Sequence, residues 1–235
     1  MIAGKVALIL QARVSSQRLP GKVLAHIAGA TLLSHCVARL RASGVGPVIV
    51  ATTTLKGDDP IAAEARRLGV TPFRGDCDDV LGRFVAAADA VGAEFVIRAT
   101  ADNPAVDPDS AARLIEYLRA SFADHAVEEG LPYGCTVEAV RTIALRDAAA
   151  RTRNPGDREH VTTYLRRAGS GFKCLTTRAP ARVRRPDLRF TVDTPADLAY
   201  MRRVLGDAGA ALDQAIPLAE LIAAADSLSR GEEVA

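Results

Sequence analysis

The chain has 235 residues, enough for one large domain or one domain with a sizeable insertion. Hydrophobic residues make up 49% and aromatics only 4%, so an aliphatic core is expected. Lys plus Arg number 30 against 28 Asp plus Glu, and this net charge of +2 argues against bulk nucleic-acid or membrane affinity.

The first predicted element is a short buried strand over 6–10, followed at once by a loop rich in cations. Apolar residues at Leu32, Leu33, Val37 and Leu40 have helical spacing, which predicts a helix over 31–42. A strand over 48–51, a helix over 60–68 capped by Asp58 or Asp59, a strand over 70–73 and a helix over 80–91 follow. A fourth strand over 95–99 leads to a helix over 108–118 with Pro in its first turn. This alternation predicts an α/β fold, a mainly parallel sheet with helices on both faces.

The rhythm loosens after residue 121. Strands are expected over 126–128 and 136–140 around the turn 130–134, and helices over 143–150 and 158–167. Further strands are expected over 172–175 and 188–192, then helices over 195–205 and 217–225, with a frayed tail from 227 to 235. One domain spanning 1–235, with a cap or dimerisation insertion near 121–186, fits this order. The four cysteines form no CxxC pair, which argues against a zinc site or redox dithiol and fits a reduced compartment. The N-terminus lacks a signal-like cleavage pattern and no apolar run reaches bilayer length, so a soluble cytoplasmic protein is expected.

Ligands of open α/β sheets bind beyond the carboxyl ends of the strands. Three polar segments are expected there: the Arg13–Lys22 loop, residues 98–104, and residues 191–195. The loop carries Arg13, Ser16, Arg18 and Lys22 and a Pro-Gly bend, donors suited to a polyphosphate. Asp102 and Asp193 then stand near one crevice, and two carboxylates beside a polyphosphate suit Mg²⁺. Each Asp also has a plainer role as a turn or capping residue. Asp76, Asp78 and Asp79 precede a helix and are read as capping it in preference to a nucleotide role. His26, His35 and His125 lack ligand-like spacing and are read as structural, and Cys36 as core. The run of Arg178, Arg182, Arg184, Arg185 and Arg189 lacks interleaved aromatics, which favours a solvated loop, a subunit contact or a flap over nucleic-acid binding.

Gln11-Ala12-Arg13-Val14-Ser15-Ser16-Gln17-Arg18-Leu19-Pro20-Gly21-Lys22 resembles the signature loop of the CMP-sugar synthetases, the cytidylyltransferases that activate acidic sugars with CTP. Val50-Ala51-Thr52, Phe73-Arg74-Gly75, Asp78-Asp79-Val80-Leu81, Arg98 with Asp102, Arg158-Glu159-His160-Val161-Thr162 and Val192-Asp193-Thr194-Pro195-Ala196-Asp197-Leu198 are similar to the spore-coat-polysaccharide branch of that family. The likeness covers roughly 6–205. It implies a nucleotide-diphospho-sugar transferase fold, a Rossmann-like mixed sheet, and transfer of CMP from CTP to an acidic, nonulosonate-like sugar with release of pyrophosphate. It implies that Arg13, Ser16, Arg18 and Lys22 contact the triphosphate, that Asp102 and Asp193 hold Mg²⁺, and that the protein is a homodimer. Arg13, Arg18, Lys22, Asp102 and Asp193 are the catalytic candidates. Gln11, Ala12, Ala51, Thr52, Arg74 and Gly75 are candidates for the rest of the nucleotide site, Arg74 having the alternative of a surface position. Arg98, Tyr133, Glu138, Arg158 and His160 are candidates for the acceptor side. A phosphate or phosphonate acceptor and a non-catalytic nucleotide-binding protein remain as other readings. A dinucleotide-dependent oxidoreductase is disfavoured, because no GxGxxG follows the first strand.

Overall fold

A computed structural model describes residues 4–209 and 215–233. β1 (Val6–Gln11) is buried on both faces, with Val6, Leu8 and Leu10 entering one core and Ala7 and Ile9 the other. Such a doubly buried strand reads as a continuous apolar run, not an alternating one. A two-residue hairpin, β2 (His26–Ile27) with β3 (Ala30–Thr31), leads into α1 (Leu32–Ala42), whose first turn is capped by the Thr31 hydroxyl. Then come β4 (Val48–Thr53), α2 (Asp59–Arg67), β5 (Thr71–Gly75), α3 (Val80–Ala90), β6 (Phe95–Thr100) and α4 (Pro108–Ser121). β1 pairs in parallel with β4 and β6, and β4 with β5, so their carboxyl ends share one rim. Helices α1, α2 and α4 cover one face and α3 covers the other.

Beyond Ser121 the chain adds β7 (His125–Glu129), β8 (Glu138–Arg141), α5 (Thr142–Arg151), α6 (Pro155–His160), α7 (Thr163–Arg166) and β9 (Cys174–Arg178). The seven-stranded sheet has the order β5-β4-β1-β6-β8-β7-β9. β8 is antiparallel to both neighbours and alone opposes the other six strands. This mixed, mainly parallel sheet agrees with the expected fold class. The segment 121–186 supplies three of its strands, and α5 and α7 pack with α3 against one face. A third core gathers Ile27, Phe190 and Val192 with α8 (Pro195–Asp207) and α9 (Leu218–Glu233).

Five expectations change. The helix over 158–167 is two short helices separated at Val161, which has φ 59° and ψ −56°. There the Thr162 N–H bonds the His160 carbonyl at 2.6 Å, closing a γ-turn that is strained for a β-branched residue. Asn154 caps α6 from its side chain, so that helix starts earlier, at Pro155. Residues 188–192 form no sheet strand. They make a single bridge between Arg189 and Tyr133, and their backbone bonds run to Tyr133 and Asp102 across the rim. The strand expected over 172–175 lies at Cys174–Arg178, and the expected tail from 227 is helical to Glu233, residues 234 and 235 lying outside the described residues. Asp58 makes no side-chain capping bond to α2. Its carboxylate accepts the Val14 N–H at 2.7 Å and the Thr53 hydroxyl instead, anchoring the start of the cationic loop.

α8 begins with a reciprocal cap: Thr194 Oγ1 accepts the Asp197 N–H at 3.2 Å, and Asp197 Oδ2 accepts the Thr194 N–H at 2.8 Å. Thr194→Ala is expected to lower the unfolding free energy by about 1 kcal/mol, and Thr194→Ser by less, in urea denaturation. Equal losses in the two variants would assign the effect to the methyl group and not to the cap.

Candidate active site

The cationic loop folds back on itself, because Val14 O accepts the N–H groups of Ser16 at 2.8 Å and Gly21 at 3.0 Å. Gly21 has φ 71°, a turn geometry that suits glycine, and it opens the one-turn 3₁₀ helix that begins at Lys22. Lys22 is consequently turned inward and only 8% exposed. Its ammonium donates to Val192 O at 2.7 Å, Asp193 Oδ1 at 3.0 Å and Asp102 Oδ2 at 3.4 Å. The backbone tie from Val192 N–H to Asp102 O, 2.8 Å, draws the two acidic segments together independently of the lysine.

Lys22 is not the only cation on the Asp193 carboxylate. Arg18 reaches its Oδ1 at 3.0 Å and Arg189 its Oδ2 at 2.8 Å. Burial would raise its pKa, but the Lys22 hydrogen bond and charge, then Arg18 and Arg189, hold it below the usual carboxylate range. Asp102 differs, because its Oδ1 is buried and has no hydrogen-bond partner. Among the described residues no group of three or more His, Cys, Asp or Glu side chains gathers in metal-binding fashion. A carboxylate pair with one unused buried oxygen suits a hard divalent cation that takes its other ligands from water and phosphate.

These groups border a cleft of about 910 Å³. Gln11, Ala12, Arg13, Ser16, Arg18 and Lys22 line it together with Arg98, Asp102, His160 and Asp193. Arg13 reaches across to Glu159 of α6, 2.7 Å away, so the loop and α6 face each other. Arg98 presents its guanidinium here while Nη1 bonds Glu138 Oε1 at 2.9 Å.

Seven expected contacts do not line this cleft. Ala51 and Thr52 are fully buried in β4. Arg74 bonds the Thr53 and Leu55 carbonyls, both at 2.8 Å, and pairs with Asp59, stapling the β4–α2 connection. Gly75 leaves room for buried Arg83, whose Cγ would lie 3.0 Å from an added Cβ. Arg158 bonds the Ala149 carbonyl at 2.9 Å and pairs with Asp79, holding α6 on α3. Tyr133 is 62% exposed under the guanidinium of Arg189. Glu138 stands behind Arg98, its other oxygen on His125 Nε2 at 2.8 Å.

Ser15, Gln17, Cys77, Thr100 and Glu159 also line the cleft, although the sequence reading offers none of them as a contact. Asp76 and Asp79 do take up backbone N–H groups at the entry to α3, while Asp78 faces the cleft. One signal was present for Glu159. Residues 158 and 160 lie on opposite sides of a helix, so Arg158 and His160 cannot both face one ligand, whereas 159 and 160 are adjacent. The arginine run is largely neutralised locally, Arg182 by Asp109, Arg185 by Asp187 and Asp226, and Arg189 by Asp193 and Asp197.

Residues 7–222 match a family model described as cytidylyltransferase. The chain is 33% identical over 210 residues to the spore coat polysaccharide biosynthesis protein SpsF of Bacillus subtilis, covering 87% of this chain and 88% of that protein. A cytidylyltransferase structure from Leptospira borgpetersenii serovar Hardjo-bovis superposes with a TM-score of 0.87 at 24% identity, covering 98% of this chain and 96% of the other. The structure of CMP:2-keto-3-deoxy-manno-octonic acid synthetase complexed with CTP superposes with a TM-score of 0.65 at 19% identity, covering 86% and 98%. At these identities the two structures share the fold.

Burial would raise the pKa of Glu138, but the His125 hydrogen bond and the Arg98 charge outweigh it and hold the carboxyl at about 2. A folded pKa below the unfolded value means that its stabilisation is complete above about pH 4.5 and is lost as pH falls toward 2. Glu138→Gln is therefore expected to cost about 3 kcal/mol at neutral pH, and the gap between variant and wild type should close between pH 4.5 and pH 2. Urea midpoints across that range measure it, and a gap independent of pH would remove the charge from the account.

Proposed function

Because the chain belongs to the cytidylyltransferase family and is a CTP-dependent nucleotidyltransferase, we propose that it transfers CMP from CTP to an acidic sugar, with release of pyrophosphate, in the making of a surface or coat polysaccharide. The observation that carries this reading is the gathering of Arg13, Arg18 and Lys22 with Asp102 and Asp193 around one cleft. An acceptor oxygen attacks the α-phosphorus, a new P–O bond forms, and the bond to the β-bridging oxygen breaks. Charge grows on the leaving pyrophosphate, and Lys22, Arg18 and Arg13 meet it with fixed cations, stabilising the transition state more than the ground state. His160 accepts the proton of the attacking hydroxyl. Arg98, held by Glu138, receives the carboxylate of the acceptor.

Asp102, with Asp193, is the holder of a divalent cation, Mg²⁺ in this reading, and the unused Asp102 Oδ1 supports it. That ion neutralises phosphate charge when bound. The protein acts in the cytoplasm, where its free thiols stay reduced, and as a homodimer through the segment 121–186, which exposes Phe122 and Ile143. Light scattering tests the dimer.

Pyrophosphate release is expected only when CTP, a divalent cation and an acidic sugar are all present, and Lys22→Ala should slow it roughly 10²–10³-fold. Release with phosphate or phosphonate acceptors alone would reassign the acceptor. A rise in melting temperature with CTP but no turnover over a broad acceptor panel would make the protein a nucleotide binder without catalysis.

A further inference from the structure

Each cation assigned to the triphosphate is already engaged by a carboxylate of the same chain. Arg13 is paired with Glu159, Arg18 with Asp193, and Lys22 with both Asp102 and Asp193. The lysine is special among them, because its ammonium sits between the two acids assigned to the metal. An uncompensated pair of carboxylates so close together is costly, and a buried ammonium without acceptors is costly too. Each therefore relieves the other, and a divalent cation seeking the acids must compete with a positive charge 3.0 Å from Asp193 and 3.4 Å from Asp102.

We propose that Lys22 is a resident counter-ion for the metal site: it keeps Asp102 and Asp193 together and repels divalent cations until a triphosphate draws the ammonium away. This rests on the nucleotide reading above. Its content is that metal and triphosphate bind as a coupled pair. The triphosphate oxygens take over Lys22 and Arg18, and the released carboxylate oxygens become available to the cation that arrives with the nucleotide. The coupling is reciprocal, as any linkage of two binding equilibria must be.

The test measures Mn²⁺ binding without nucleotide, by loss of the free-ion electron paramagnetic resonance signal, in wild type and in Lys22→Met, which keeps the apolar stem and removes the charge. The variant is expected to bind Mn²⁺ at least about tenfold more tightly than wild type, since a cation within hydrogen-bonding distance of both acids has gone. Its affinity for CTP without metal should fall. Mn²⁺ binding that is unchanged or weaker in the variant overturns the inference. Lys22→Gln, which can still donate to Val192 O, replaces Lys22→Met if the latter does not fold, with the same expectation. Pyrophosphate release by wild type separates the two layers. Turnover from CTP together with unchanged Mn²⁺ binding in the variants rejects the counter-ion role alone, and absence of any CTP turnover rejects the reading beneath it.

Discussion

The ammonium of Lys22 is a buried cation whose acceptors come from residues 102, 192 and 193. Water cannot replace them at a side chain this enclosed, so the loop after β1, the turn after β6 and the approach to α8 must converge for the ammonium to be satisfied. Other contacts then fix how they converge. Asp58 grips the backbone of Val14, and Asp197 accepts the N–H groups of both Asp193 and Thr194, holding Asp193 at the mouth of α8. The polar rim is thus a structural joint and a chemical site through the same atoms.

Charge in this molecule is organised in short circuits. The overall balance is nearly neutral, yet the cleft gathers Arg13, Arg18, Lys22 and Arg98. Each is met by an acid: Glu159, Asp193, Asp102 and Glu138. The exposed Arg13–Glu159 pair contributes little to stability and is readily broken by an incoming anion. The enclosed Arg98–Glu138–His125 chain is different, because it sets the direction in which Arg98 points.

The nucleotide half was legible because its signals are contiguous. The apolar run of β1, the helical spacing of α1 and the consecutive polar residues of the loop each declare themselves within about a dozen positions. The lost features depend on distant partners. Leu188, Phe190 and Val192 alternate with Arg189 and Thr191 as a strand would, yet Phe190 and Val192 bury in the core beside α8 while the backbone bonds Tyr133 and Asp102. A γ-turn at Val161 runs against the preference of a β-branched residue and is held by its surroundings. Ala51, Thr52 and Gly75 belong to segments that resemble those of the family, but a motif does not tell a lining residue from one packed behind it. Glu138 is the sharpest case, an acid that acts on Arg98 from the rear.

Lys22 and Asp193 are 171 positions apart. During synthesis the lysine leaves the ribosome long before its acid does, and β1 through α4 can assemble around an aliphatic core while that ammonium still lacks two of its three acceptors. Bridging so wide a gap is entropically demanding and belongs to the late, slow stage of folding. A nascent chain halted before Val192 therefore has its phosphate loop and its central sheet but no closed rim, and competence for chemistry waits on the segment that follows the sheet.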